Sequence, residues 1–154
     1  MGAIAVALIA AGCGASSGPE VHELAPGKWG TGEVLNDLAP MTDRVPSLVT
    51  ATAVAYVGGP TAEPDGNREV TVPGPSDLWI DAVVTFAPDD GGPARQCGSA
   101  DTLGVPSVVP ELTGSIFGGA WIECSPDAFS APGWLVTALL SPDDNVVVLH
   151  LASL

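Results

Sequence analysis

The feature that most limits how this chain can fold is a period of two in its apolar residues. It is clearest over residues 77–87, where one set of alternate residues is entirely apolar: Leu78, Ile80, Ala82, Val84 and Phe86. The other set consists of Asp77, Trp79, Asp81, Val83 and Thr85. Because successive side chains of a strand point to opposite faces, this pattern predicts a β-strand with one side turned to a core.

Similar patterns predict an all-β chain. Further strands are expected at residues 47–57, 119–125, 134–141 and 146–154, with shorter ones at 28–35 and 68–73. The turn residues from Pro142 to Asn145 join the last two strands into a hairpin. We find no convincing helical period, and prolines interrupt the one candidate helical turn, at 103–112. The sequence therefore predicts an antiparallel β-sandwich over residues 28–154.

The charge balance limits the partners of this domain. Eighteen acidic residues stand against four basic ones, a formal net charge of -14. Such a chain repels phosphate backbones and anionic lipid head groups, so we expect no nucleic-acid partner and no membrane contact through a basic patch.

The N-terminal segment predicts how the protein reaches its compartment. A short apolar run ends in Ile-Ala-Ala-Gly-Cys, residues 9–13, and resembles the lipobox of bacterial lipoprotein signal peptides. The resemblance implies removal of residues 1–12, a diacylglycerol anchor on Cys13 and a place on the extracytoplasmic face of the cell membrane. No basic residue precedes the run, so we expect a translation start further upstream. The alternative is an apolar tail with an ordinary cysteine. Residues 13–27 are predicted to be a flexible tether.

The cysteine count indicates a disulfide. With Cys13 lipidated, Cys97 and Cys124 remain, and an oxidising compartment favours their pairing. Zinc is the competing use, but the sequence has no Cys-x-x-Cys and only His22 and His150 could assist.

Four segments carry a family resemblance. Residues 48–54, 74–85, 112–123 and 146–149 resemble the secreted, telokin-like proteins of the actinobacterial immunoprotective extracellular protein family. The resemblance implies an immunoglobulin-like sandwich and an exposed, non-enzymatic module. It transfers no site residue.

Two tryptophans are the candidate ligand-binding residues. Trp79 and Trp121 each lie opposite the small apolar residues of their strand, beside acidic groups. On neighbouring strands the two rings would form an aromatic platform for a sugar or a peptide. The alternative is that the face is covered and both rings are structural.

The remaining candidates for chemistry are weak. The Gly-x-Ser-x-Gly string at residues 14–18 lies in the tether, without the strand and helix that a nucleophile elbow needs. His150 could pair with Asp81 or Glu123, with Ser125 or Ser141 as nucleophile, although a polar-face histidine is the commoner situation. The acidic turns at 89–92 and 143–145 could bind calcium but match turn chemistry better. No cofactor or metal is predicted.

These observations favour a membrane-anchored, non-catalytic binding module for a protein, a peptide or a cell-wall glycan. Two alternatives stay open. One is a lipid or glycolipid carrier with a cavity between the sheets, and the other is a cell-wall-associated hydrolase.

Overall fold

The computed structural model describes residues 19–64, 77–88, 97 and 102–154. The predictions for Cys13, the signal segment, the Gly-x-Ser-x-Gly string, the strand at 68–73 and the acidic turn at 89–92 lie outside these residues. The elements in chain order are β1 (His22–Ala25), β2 (Lys28–Gly30), α1 (Leu38–Arg44), a first 3-10 helix (Pro46–Thr50), β3 (Ala51–Pro60), β4 (Leu78–Phe86), a second 3-10 helix (Pro110–Ser115), β5 (Ile122–Glu123), β6 (Trp134–Ser141) and β7 (Val146–Ser153).

The centre of the fold is a five-stranded antiparallel sheet in the order β3-β4-β7-β6-β5. A separate two-stranded sheet joins β1 and β2. The predicted all-β class is confirmed, and so is the hairpin of β6 and β7. Asn145 in its turn has a φ of 53°, a conformation that asparagine tolerates better than most residues.

Each face of the large sheet carries a buried apolar cluster. We call the side that carries Ala82 and Leu149 the first face, and the side that carries Asp81 and Val148 the second face. The predicted alternation of β4 is confirmed, because its two sets of residues enter two different apolar clusters.

The first face is covered by α1, the first 3-10 helix and the segment after β5. Met41, Leu48 and Phe129 supply the largest side chains of this cover. Cys97 and Cys124 form a disulfide within the same cluster, in agreement with the prediction.

Helix α1 corrects the expectation that the chain has no helix. The side chain of Asp37 accepts a hydrogen bond from the Ala39 N–H (3.0 Å) and caps the first turn, and Pro46 follows the end. The sequence therefore carried the start and stop signals of a helix. At seven residues, α1 is too short to show a helical period.

The second face is covered by the β1–β2 hairpin and the second 3-10 helix. Leu24 of β1 and Leu112 of the 3-10 helix pack in its cluster. The predicted tether therefore extends too far, because residues 22–25 form a strand of the folded domain. Gly59 of β3 allows the close approach of the hairpin, since a Cβ there would overlap the Trp29 carbonyl.

The two antiparallel sheets make the fold sandwich-like, but the second layer is much the smaller. Its strands have four and three residues, against eight to ten in the long strands of the large sheet. The immunoglobulin-like arrangement stays a prediction. Within the described residues, no helix has the length and apolarity to cross a membrane.

Candidate functional site

A buried carboxylate marks the candidate site. Asp81 lies on the second face of β4, between Trp79 and Val83, and its side chain is 1% exposed. An ionised carboxylate cannot be buried at acceptable cost unless it is paired and hydrogen-bonded. The groups around Asp81 therefore determine whether this part of the fold is stable.

Three groups satisfy Asp81. The Lys28 ammonium donates to both carboxylate oxygens, at 2.6 and 2.7 Å from Nζ to Oδ1 and Oδ2. His150 Nδ1 lies 2.9 Å from Oδ1, and the backbone N–H of Val109 donates to Oδ2 at 3.1 Å. The carboxylate thus has four hydrogen bonds from three partners, which is close to its full capacity as an acceptor.

Different elements bring these groups together. Asp81 and His150 are direct cross-strand partners on β4 and β7. Lys28 is the first residue of β2 and reaches the Asp81 carboxylate from the β1–β2 hairpin. Its ammonium also lies 5.2 Å from the ring centroid of Trp79, within the range of a cation–π contact.

The protonation of Asp81 follows from these contacts. Burial raises the pKa of the Asp81 carboxyl, but the hydrogen bonds and positive charge from His150 and Lys28 outweigh burial and hold the pKa below its ordinary value. Asp81 is therefore ionised at neutral pH and accepts hydrogen bonds only. It follows that His150 carries a proton on Nδ1.

The second ring nitrogen of His150 is available to a ligand. Among the described residues, Nε2 has no hydrogen-bond partner. In the neutral ring it is an acceptor, and in the imidazolium it is a donor.

A pocket of about 270 Å³ opens over this cluster. Its floor is formed by two rows that cross the sheet from β4 to β6: Trp79, Ala152 and Leu135 in one, and Asp81, His150 and Thr137 in the other. The side chains of Lys28 and His150 are 27% and 26% exposed. The pocket therefore joins a partly buried ion pair at one end to exposed residues of β6 at the other.

The structure corrects the predicted tryptophan platform. Trp79 and Trp121 do share one face, but they are 3% and 0% exposed and belong to the same apolar cluster as Leu112. The second layer covers this face, so the rings fill the core and do not form an open stacking surface. Trp79 still borders the pocket, and its Nε1 donates to the carbonyls of Trp29 (3.1 Å) and Pro60 (2.9 Å).

The structure brings together one of the proposed catalytic pairs. Of the two carboxylates considered for His150, Asp81 is the partner. Ser141 instead donates to Asp144 within the turn at 143–145 (2.8 Å), as expected for a turn and not for a calcium site. The hydroxyl directly across the strand pair from His150 belongs to Thr137. In the described part of the chain, no group of three or more His, Cys, Asp or Glu side chains could hold a metal ion.

Sequence reasoning missed Lys28 and Thr137. One signal for Lys28 was available: it is the only lysine of the chain, in a sequence with a net charge of -14. Thr137 had no comparable signal, because its role depends on the register of β6 against β7.

A second pocket, also of about 270 Å³, is a weaker candidate. It is lined mainly by apolar and aromatic side chains, among them Tyr56 and Trp134. Its one charged group, Arg44, donates to the Pro40 carbonyl of its own helix (2.8 Å). Nothing in this pocket compares with the buried carboxylate of the first.

No protein-family model, curated protein sequence or solved structure matches the chain.

Proposed function

We propose that the protein is a membrane-anchored, extracytoplasmic binding module that takes its ligand in the pocket over Lys28, Asp81 and His150. The ligand is a protein segment, a peptide or a cell-wall glycan. The observation that carries the proposal is the buried, fully partnered Asp81 at the base of a pocket.

Stability alone does not account for this arrangement. Replacing a buried ion pair with well-packed apolar residues is often neutral or stabilising, because the charges lose their hydration. The second face of β4 is otherwise apolar on either side of Asp81, where Trp79 and Val83 pack. An ionisable group with a shifted pKa in a pocket is a reasonable functional-site candidate for that reason.

The chemistry of the pocket favours a ligand with both donors and acceptors. Two of the three N–H groups of Lys28 are directed to Asp81, and the third remains for a ligand. His150 Nε2 offers an acceptor in the neutral ring, and Thr137 offers a hydroxyl. Leu135 adds an apolar surface that is 62% exposed. Peptides and sugars both present this mixture of groups.

Binding is tested by a matched pair of histidine variants. The full chain is screened on arrays of short peptides and peptidoglycan fragments, and the ligands found are titrated against His150→Gln and His22→Gln. We expect His150→Gln to weaken binding at least about tenfold, close to 1.4 kcal/mol. The exposed His22 lies outside the pocket and serves as the control. Ligands that bind His150→Gln as tightly as the wild type would exclude this pocket as the binding site.

The membrane anchor is a separate part of the proposal. Its support is the resemblance of residues 9–13 to a lipobox and the disulfide, which suits an oxidising compartment. Cys13→Ala should release the protein from the membrane fraction, whereas Cys97→Ala should leave it there. Complete retention of the Cys13→Ala variant would contradict the anchor. The immunoglobulin-like fold is likewise proposed, supported by an antiparallel sheet in which β4 and β7 are neighbours without being consecutive.

One observation favours a second candidate function. The Nδ1 contact with Asp81 orients His150 as a general base would be oriented, and Thr137 lies directly across from it. A hydrolase with this pair would cleave the peptides or glycans of the array. Product formation that disappears in both His150→Gln and Thr137→Ala would replace the binding proposal with a hydrolase.

A further inference from the structure

The outer edge of β6 is only partly paired. Strand β6 has eight residues, but β5 has two, and they pair with Leu139 and Leu140. One more hydrogen bond joins the Cys124 N–H to the Ala138 carbonyl (2.9 Å). Beyond that point, no described strand pairs with the outer edge over residues 134–137.

The backbone of Val136 faces this open edge. In an antiparallel strand, the N–H and C=O groups of alternate residues point to the same side. Since the Ala138 carbonyl points towards β5, the N–H and C=O of Val136 point the same way. Neither group has a hydrogen-bond partner on that side within the described part of the chain. The Trp134 N–H, by contrast, donates to the Ala131 carbonyl (3.1 Å).

The residues on either side of Val136 belong to the pocket. Leu135 and Thr137 project from the second face and line the pocket together with His150. Proteins normally protect such an edge with proline, lysine or an inward charge. Residues 134–137 are Trp, Leu, Val and Thr, so the sequence supplies none of these protections here.

We infer that the ligand is an extended polypeptide segment that adds as a strand to the outer edge of β6, with main-chain hydrogen bonds to Val136. This rests on the proposed function, because the same pocket receives one side chain of the segment. Strand addition combines main-chain bonds for affinity with pockets for alternate side chains, and β6 presents both within three residues.

The groups of the pocket select the side chain that enters it. In the row that crosses the sheet, Thr137 lies next to the added strand, and His150 on β7 lies beyond it. Neighbouring strands are about 4.8 Å apart, so only a long side chain that carries a hydrogen-bonding group reaches His150. A segment of net negative charge is disfavoured by the net charge of -14 on the protein. The partner segment therefore carries Gln at the pocket position, because its amide is long enough to extend over Thr137 and can donate to or accept from His150 Nε2. The segment is not acidic overall.

The inference is tested with a library of random linear heptapeptides displayed on phage and selected against the full chain. Selected peptides are synthesised, and each amide is methylated in turn. Methylation of an amide that bonds to β6 should weaken binding at least about tenfold, and the sensitive positions should alternate along the peptide, as strand pairing requires.

A pair of protein variants tests the same edge. Val136→Pro removes the outward N–H without removing a bond to β7, and proline is tolerated on strand edges of this kind. Val136→Ala trims the side chain but keeps the N–H. We expect binding to be lost in Val136→Pro and to stay within about threefold of wild type in Val136→Ala. The methylated peptides keep the test decisive if Val136→Pro does not fold.

Each other outcome overturns the inference. Peptides that weaken in His150→Gln but tolerate methylation at every amide would retain the pocket and exclude strand addition. Failure to select any peptide would exclude a polypeptide ligand, and a glycan that binds wild type but not His150→Gln would still support the proposed function. Concentration-dependent dimers that disappear in Val136→Pro would make the occupant a second copy of this chain.

Discussion

The same strands form both faces of the five-stranded sheet, but the two faces differ in the groups they bury. The buried residues of the first face form an apolar cluster that includes the disulfide, under a helix and a 3-10 helix. The second face has a smaller apolar cluster, and a buried ion pair interrupts it at Asp81.

The difference follows from what covers each face. On the second face a short hairpin and a 3-10 helix leave part of β7 and β6 open, so His150 and Lys28 keep contact with water. A carboxylate is tolerated on a central strand where its partners can remain partly hydrated. The candidate site therefore lies where the second layer is incomplete.

The largest expected effect is on the first face. Leu149 is fully buried there, so Leu149→Ala should lower the free energy of unfolding by about 3–4 kcal/mol, from lost burial and a cavity. The loss should be nearly equal at pH 7 and pH 3 because no titrating group is removed. Urea unfolding measures it. A loss below about 1 kcal/mol would show that the first face is not the main source of stability.

The disulfide should contribute almost as much to the same face. It closes a segment with a sequence separation of 27, for which the chain-entropy model gives about 3.5 kcal/mol. Adding a reductant should lower the urea midpoint of the wild type by a corresponding amount. A variant with Cys97→Ser and Cys124→Ser should not respond to the reductant. Equal midpoints for wild type with and without reductant would contradict the pairing.

A smaller but pH-dependent effect is expected on the second face. Asp81→Asn should cost about 2 kcal/mol at pH 7, because it removes the charge that balances Lys28. The pKa of Asp81 is lowered by folding, so its contribution is full above the ordinary pKa near 4 and is lost as the pH falls through the lower, folded value.

The two variants that test this effect are Asp81→Asn and Asp77→Asn, compared with wild type by urea unfolding at pH 7 and pH 2.5. Asp77 is exposed and precedes the same strand, so its replacement should change stability by less than about 0.5 kcal/mol. A cost for Asp81→Asn that is unchanged at low pH would show that packing, and not charge, is lost.

The smallest effect concerns the helix over the first face. Asp37 caps α1, so Asp37→Ala should cost about 1 kcal/mol. Asp43 is exposed within the same helix, and Asp43→Ala is the control for the change in charge. Equal effects of the two replacements in thermal unfolding would mean that the cap hydrogen bond contributes nothing of its own.

Only some residues of the candidate site could be predicted from the sequence. Asp81 was foreseen as one of two carboxylates for His150, but Lys28 was not foreseen as its partner. The reason is sequence distance: 53 residues separate Lys28 from Asp81, and 69 separate Asp81 from His150. No local pattern encodes such contacts, because they depend on where the β1–β2 hairpin packs and on the register of β4 with β7.

The sequence by itself determined the strands β4, β6 and β7, their alternation and the turn between the last two, because these depend on neighbouring residues and on turn chemistry. Only the tertiary structure decided that the second face is also buried. A period of two separates the faces of a strand but does not say whether another layer covers each. Because the second layer covers Trp121, this residue belongs to the core. The pocket beside Asp81 stays partly open.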